Sequence, residues 1–206
     1  MNTIKTYIFN HFKVLFILSI SMIASLLLLM IRLKITLSFF YLFLVWNLFL
    51  ALIPYVISTY LKTKTNVNKY AMLFWLSIWL LFLPNAPYLV TDLIHLRLSP
   101  LSIIWYDCIM ISTFAISGLL LFYFSIIDIQ TVLKPYLSLK KLKAINFCIL
   151  FLSSFGVYLG RVLRYNSWEL LERPQKLFTD IFNIITQPTE HAGAWIFTIG
   201  FGVFLF

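Results

Sequence analysis

Two ionisable side chains that could act together in acid–base or metal chemistry, Asp92 and His95, lie in the stretch "LFLPNAPYLVTDLIHLR" from Leu81 to Arg97. Residues three apart share one face of a helix, so this pair could bind a metal, exchange a proton or hydrogen-bond to each other. Asp107 opens a later apolar run and adds a second carboxyl group at a similar depth. We take Asp92, His95 and Asp107 as the candidates for a catalytic role, with that role left undetermined, and we predict no metal site.

A second set of side chains is suited to binding an anion. Arg161 and Arg164 follow a run of small residues, and Arg164 lies four residues beyond Gly160, so we expect it on the same packed helix face. A guanidinium group pairs bidentately with carboxylate or phosphate. We predict that Arg161 or Arg164 pairs with Asp92 or Asp107. We also predict that the three catalytic candidates converge with Asn85, Arg161 and Arg164 in one polar pocket, with Tyr88 and Trp168 nearby. The predicted ligand-binding residues are Asn85, Tyr88, Arg161, Arg164, Asn166 and Trp168.

The elements that must position these residues are membrane-spanning helices. Of 206 residues, 62% are hydrophobic and 11% are charged, and the mean hydropathy is +0.95. A soluble domain carries about 25% charged residues, and about 20 apolar residues in a row suffice to cross a bilayer. The sequence therefore predicts an all-α polytopic transmembrane helix bundle of about six spans, formed as a single integral membrane domain over residues 1–206. The six apolar runs are Val14–Ile31, Ile35–Leu61, Tyr70–Val90, Cys108–Ile127, Ala144–Gly160 and Ala192–Phe206, of which the last is short.

The third run is broken by Pro84 and Pro87. Each proline removes a backbone donor and disfavours helix at the preceding residue, so the span either kinks and continues or stops and turns. Asn85 is suited to satisfying the backbone groups that such a break frees. We further expect Thr91 to cap a short new helix beyond the break.

Two features concern packing and partners. The stretch from residue 167 to 183 mixes apolar and charged residues around Pro174, which predicts an amphipathic interfacial helix, or two short ones, between spans five and six. Ser153, Gly156 and Gly160 form a stripe of small residues that favours close packing of another helix, and a homodimer through this face is one interpretation. The lipid bilayer is the predicted partner, together with an anionic lipid or small anion.

The charges suggest an orientation. With a cytoplasmic N-terminus, nine basic residues face inward and seven outward, which agrees with the positive-inside rule. All five arginines then lie on the outer side, with six of the seven acidic residues. The outer face therefore carries the directional polar groups, while inner lysines anchor against anionic lipid. The sequence predicts a multi-pass inner-membrane protein with its polar pocket on the outer side.

Three blocks of the sequence together resemble a known family. "LPNAPYLVTDLIHL", "WYD" and "GVYLGRVLRYNSWEL" are similar to the signature blocks of the bacterial integral membrane proteins described as domain of unknown function 1361. The resemblance implies a multi-pass protein of a bacterial inner membrane. It implies no activity and no catalytic residue, and the short last span departs from the expected pattern.

Three functions remain open. The first is binding or transport of an anionic or lipid-phosphate ligand, because broken helices commonly frame transporter sites. The second is an enzyme acting on a lipid-linked phosphate at the outer leaflet. The third is structural or assembly work, in which the polar cluster locks helices together. The sequence contains no recognisable nucleic-acid, phosphate-loop or hydrolase motif, so we predict neither a nucleic-acid partner nor a cofactor.

Overall fold

The structure is a computed structural model that describes residue 9 and residues 11–64, 67–165, 167 and 172–206. The connections between the described α-helices include two 3-10 helices, Phe40–Leu42 and Asp92–Leu98. In chain order, the α-helices are α1 (Phe12–Thr36), α2 (Phe43–Thr63), α3 (Lys69–Phe82), α4 (Asn85–Thr91), α5 (Ile104–Leu133), α6 (Leu139–Arg161), α7 (Pro174–Thr186) and α8 (Ala192–Phe204).

Among the described residues, five helical segments are long and apolar enough to cross a membrane. They confirm the prediction of a polytopic helical membrane protein. The sixth predicted span is only the 13-residue helix α8, which is about 20 Å long and falls short of a hydrocarbon core of about 30 Å. The five segments are Phe12–Thr36, Phe40–Thr63, Lys69–Leu98, Ile104–Leu133 and Leu139–Arg161.

Helix α5 lies at the centre of the bundle, where it packs against α1, α2 and α4. Its inward face buries Met110, Phe114 and Phe122 completely. A polar contact joins it to α1, because the hydroxyls of Ser25 and Ser117 lie 3.2 Å apart and both are fully buried. Small hydroxyl residues let helices approach closely and bond to each other inside a membrane.

The proline break in the third span is a kink through which the helix continues. Leu83 (φ −55°, ψ −39°) and Pro84 (φ −60°, ψ −23°) keep right-handed helical backbone angles between α3 and α4. The predicted cap at Thr91 is wrong, because its backbone is itself helical and its hydroxyl donates backward to the carbonyl of Tyr88 at 2.6 Å. The chain tightens at Asp92 into a 3-10 helix instead of starting a new α-helix.

Two glycines accept the kinked segment from opposite sides. A Cβ added to Gly118 of α5 would collide with the backbone carbonyl of Ala86. A Cβ added to Gly156 of α6 would come within 2.5 Å of Pro84 Cγ. The bend therefore fits between α5 and α6 only because both helices lack a side chain there.

The small-residue stripe of α6 is thus used within the chain. A Cβ on Gly160 would lie 3.3 Å from the Tyr88 ring, and Ser153 is fully buried. The stretch from Gly156 to Gly160 faces the third span of the same molecule, which leaves this stretch no room for a second copy. Self-association of the protein stays a prediction, without support from this face.

The predicted amphipathic helix before the last apolar segment is α7, which begins with Pro174 at a position that needs no backbone donor. Leu177 and Ile184 are buried on its inner side, while Phe178 and Phe182 are exposed. Trp195 of α8 donates from its indole nitrogen to the carbonyl of Ile184 at 3.2 Å. Helix α7 therefore packs over one end of the bundle with apolar side chains still facing outward.

Candidate functional site

Arg161, the last residue of α6, is the hub of a buried polar cluster. Its Nε donates to Thr91 Oγ1 at 2.8 Å, and its Nη2 donates to the carboxylate of Asp92. Its Nη1 lies 3.2 Å from His95 Nε2, and the guanidinium carbon lies 4.1 Å from the centroid of the Tyr88 ring. One face and each of the three nitrogens of the guanidinium therefore contact a different group, which suits arginine and not lysine.

Asp92 is fully buried, and both of its carboxylate oxygens are engaged. Oδ1 accepts from Arg161, and Oδ2 accepts from Asn47 Nδ2 at 3.0 Å. The predicted pairing of Arg161 with Asp92 is confirmed. Because a buried carboxylate with two charge-assisted or amide donors is well satisfied, this geometry suits holding three helices together.

His95 completes the cluster on the side away from Asn47. A guanidinium group can only donate, so His95 Nε2 accepts from Arg161 and the ring is neutral with its proton on Nδ1. Nδ1 is buried and has no hydrogen-bond partner among the described residues. The ring packs against Phe43 and Phe40, with centroid distances of 4.8 and 6.0 Å.

A cleft of about 150 Å³ lies beside the cluster, between α2, the kinked third span and α6. Tyr88 and Asn47 belong to both, so they form the wall between the cleft and the buried ion pair. Amide, hydroxyl and aromatic groups line the cleft together with aliphatic groups. The polar and aromatic lining residues are Trp46, Asn47, Asn85, Tyr88, Tyr165 and Ser167.

Asn85 links the helix kink to the cleft. Its Nδ2 donates to the carbonyl of Phe82 at 2.9 Å, a carbonyl in the last turn before Pro84. The same nitrogen lies 3.0 Å from Ser167 Oγ across the cleft. The expectation that Asn85 satisfies backbone freed by the proline break is confirmed, and a bond to the segment after α6 is added to it.

Asp107 takes a different partner from the predicted one. Arg32 of α1 holds it bidentately, from Nε to Oδ1 and from Nη2 to Oδ2, the latter at 3.0 Å. Arg32 also donates to Thr36 and lies under the Tyr41 ring, 5.5 Å from its centroid. This pair joins α1 to α5, so Asp107 belongs to a second ion-pair cluster, and its predicted pairing with Arg161 or Arg164 is wrong.

The expected position of Arg164 is also wrong. Helix α6 ends at Arg161, and Arg164 has a left-handed backbone (φ 61°) and an exposed side chain. Arg164 is in none of the described ion pairs, although its positive charge lies close enough to Tyr88 to interact with it electrostatically. The chain turns back here, with the amide of Tyr165 donating to the carbonyl of Leu159 at 3.0 Å. Arg164 therefore lies near the cleft, but not on the packed face of α6.

Two further candidates, Asn166 and Trp168, lie outside the described residues. The structure brings together Asn85, Tyr88, Asp92, His95 and Arg161, while their roles in binding or catalysis stay predictions. Within the described part of the chain, no group of three or more His, Cys, Asp or Glu residues could hold a metal ion.

Sequence reasoning missed the contributions of α2 and α1. Asn47 lies in an otherwise apolar span, and its isolation as a strongly polar residue was the available signal. Arg32 was assigned to a loop, yet its side chain is buried inside the bundle. Both partners lie at least 45 residues away along the chain, so only knowledge of helix neighbours identifies them.

The sequence model of a family described as protein of unknown function (DUF1361) matches residues 46–206, which include most of α2 and all of α3 to α8. The four residues Asn47, Asp92, His95 and Arg161 all fall within the matched part, and Arg32 lies before it. No curated protein and no solved structure matches the chain.

Proposed function

The chain belongs to the DUF1361 family, and from the geometry of its cleft we propose that it binds, or carries across the membrane, an anionic ligand with a lipid-linked phosphate head group. The observation that supports this proposal most strongly is the polar cleft between the membrane helices, which lies beside the buried cluster around Arg161. The proposed setting is the inner membrane of a bacterium, with a cytoplasmic N-terminus and the cleft on the outer side.

The size of the cleft favours a head group over a whole metabolite. Sites for free small molecules usually have volumes of about 300–1,000 Å³, whereas this cleft has about 150 Å³. A ligand anchored there must place most of its mass elsewhere. Trp46 and Leu81 line the cleft and are also 53% and 36% exposed on the outside of the bundle, which would let an acyl chain continue into lipid.

The groups around the cleft suit a phosphate ester. The hydroxyl of Ser167, which accepts from Asn85, can donate its own proton to a phosphate oxygen, and exposed Arg164 supplies a nearby positive charge. Arg161 is held by Asp92, His95 and Thr91, so it acts on a ligand through the Tyr88 wall. Its proposed role is to fix that wall.

The alternative of an enzyme at the outer leaflet depends on His95. Asp92 and Asp107 each use both carboxylate oxygens in bonds to neighbours, which leaves the imidazole as the candidate for proton transfer. His95→Gln then separates the two functions. An enzyme would lose turnover with binding retained, whereas a binding or transport protein would keep its ligand binding and show no turnover before or after the change.

A copurification experiment tests the proposal. The wild-type protein and the Leu81→Trp variant, in which a larger side chain enters the cleft, are purified in mild detergent, and bound phospholipids and lipid-linked phosphates are quantified by mass spectrometry. Leu73→Trp is the matched control, because Leu73 is exposed on the same helix about two turns away and does not line the cleft. We expect a phosphate-bearing lipid in the wild type and the control that is depleted in Leu81→Trp. Equal amounts in all three would contradict the proposal.

A further inference from the structure

At the opposite end of the bundle from the cleft, a groove lies between the end of α5 and the start of α6. The two helices form a hairpin through residues 134–138 but touch each other only sparsely, so a cavity of about 410 Å³ stays open between them. A second cavity of about 500 Å³ adjoins it and shares Ile127, Gln130, Lys143 and Asn146. Together they form one groove, which we call the hairpin groove.

The hairpin groove is polar at its mouth and apolar along its length. Lys134, Lys143, Gln130 and Thr131 surround the mouth, close to the hairpin loop. Farther along, the walls consist of apolar and aromatic groups from α5, α6 and the residues after α8. These deeper lining residues are Tyr123, Ile126, Phe147, Leu150, Leu205 and Phe206.

The positive charge at the mouth is not neutralised from within the described chain. The nearest acidic residue in sequence, Asp128, is buried on another face of α5, where it accepts from Lys62 Nζ at 2.6 Å. The sequence has no other acidic residue between Asp107 and Glu169. Lys134 and Lys143 are exposed and appear in no described ion pair, so an anion from outside the chain would be their counter-ion.

The amide of Asn146 supports a polar ligand at the same place. Its Oδ1 is buried without a hydrogen-bond partner among the described residues. A hydrogen bond from a ligand in the groove to this oxygen would break no existing hydrogen bond of the oxygen. It would also remove the free-energy cost of leaving a buried acceptor unpaired.

The length of the hairpin groove matches one leaflet. Lys134 and Tyr123 are eleven positions apart on one helix, which corresponds to about 17 Å at 1.5 Å per residue. Half of a hydrocarbon core of about 30 Å is about 15 Å. An acyl chain whose phosphate lies beside Lys134 and Lys143 would therefore reach the middle of the membrane along the groove.

We propose that the hairpin groove is a binding site for an anionic phospholipid, with the phosphate between Lys134 and Lys143 and one acyl chain along α5 and α6. Phosphatidylglycerol fits this chemistry, because its phosphate takes the lysines and its glycerol hydroxyls can donate to the Asn146 amide. This site is independent of the cleft, since the two lie at opposite ends of the bundle and share no lining residue.

Lipid selectivity measured by electron paramagnetic resonance tests the proposal. The protein is reconstituted in bilayers with trace phosphatidylglycerol or phosphatidylcholine, each carrying a spin label on an acyl chain. The motionally restricted fraction of each gives their relative affinity. We expect the wild type to prefer phosphatidylglycerol over phosphatidylcholine. The first lysine removed should lower this affinity ratio by about fivefold, and the double variant Lys134→Gln with Lys143→Gln should bring the ratio toward one.

Two further variants separate a built site from general attraction by lysine. Lys64→Gln with Lys69→Gln removes the same charge from the same end of the bundle but outside the groove, and we expect the preference to stay. Ile127→Trp keeps every lysine and fills the groove, and we expect the preference to fall. Thr131→Trp, also an exposed groove position, serves if Ile127→Trp does not fold. An equal fall in the lysine control, or a preference retained in the filled groove, would overturn the proposal.

Discussion

The guanidinium of Arg161, at the last residue of α6, donates to the carboxylate of Asp92, which is fully buried at the start of the 3-10 helix that ends the third span. The two residues are 69 positions apart in sequence. Asn47 of α2 binds the second carboxylate oxygen, so one aspartate ties three membrane helices together at the edge of the cleft. This arrangement and the packing of the kink determine which substitutions should destabilise the protein.

Breaking the Arg161–Asp92 pair from one side should destabilise the protein strongly. Asp92→Asn or Arg161→Gln leaves a buried charge without its partner, which costs about 3–5 kcal/mol of unfolding free energy. The double variant Asp92→Asn with Arg161→Gln removes both charges and should recover part of that loss. Unfolding by sodium dodecyl sulfate titration in mixed micelles measures the four free energies of this cycle. Strictly additive losses would show that the pair is not coupled.

The kinked segment should not tolerate a methyl group on α6. Gly156→Ala places a Cβ against Pro84 and should cost about 1–3 kcal/mol of unfolding free energy. Gly200→Ala is the matched control, because nothing lies within 4 Å of a Cβ at Gly200 and alanine is the better helix former. The control should be neutral or more stable by up to about 1 kcal/mol. The same unfolding titration gives both values, and a neutral Gly156→Ala would contradict the described packing.

The amide nitrogen of Asn85 should matter more than its oxygen. Asn85→Asp replaces a donor to the Phe82 carbonyl with an acceptor, which should cost about 1–3 kcal/mol. Asn68→Asp makes the same chemical change where the side-chain oxygen accepts from the amide of Tyr70 at the start of α3. Aspartate caps a helix as well as asparagine, so this control should keep full stability in a thermal melt. Equal effects at both positions would point away from the proposed role of the amide donor.

The membrane orientation can be read from two engineered cysteines. With Cys108 and Cys148 replaced by serine, Arg164→Cys should react from outside intact cells with a membrane-impermeant maleimide, and Lys140→Cys should react only after lysis. Both positions are exposed, and they lie at opposite ends of α6. The reverse labelling pattern would place the cleft on the inner side.

The helical spans could be predicted from the sequence, and so could the Arg161–Asp92 pair, which is one of the two ion pairs at this end of the bundle. Apolar runs and prolines are local signals, so the long spans and the kink at Pro84 could be located from them. The Arg161–Asp92 pair could be inferred because both residues are charged groups at membrane-helix ends and need partners. Asn47 stands out as a polar residue in an apolar span, but it has no charge that demands a partner, since an amide can be satisfied in many ways.

The errors have a common physical cause. Arg164 was placed by extending the helix period three residues past the true end of α6, but a left-handed residue there redirects the chain. Asp107 was placed by depth alone. Its real partner, Arg32, depends on which helix lies beside α5, and that is decided by packing across 75 positions of sequence. Depth can be read from a hydropathy pattern, whereas neighbours cannot.

Titration of the purified protein with short-chain phosphatidic acid tests most directly whether the cleft binds a lipid phosphate. Dioctanoyl phosphatidic acid is added in detergent to the protein with a wild-type cleft, to Leu81→Trp and to the Leu73→Trp control, and the melting temperature is followed. All three proteins carry Lys134→Gln and Lys143→Gln, so that the hairpin groove does not contribute to the response. A ligand that binds only the folded state raises stability in proportion to the logarithm of its concentration above Kd. We expect a saturable rise in the protein with the wild-type cleft and in Leu73→Trp, and a loss of that rise in Leu81→Trp. A rise of the same size in all three proteins, or none with the wild-type cleft, would contradict the proposal that this cleft is the binding site.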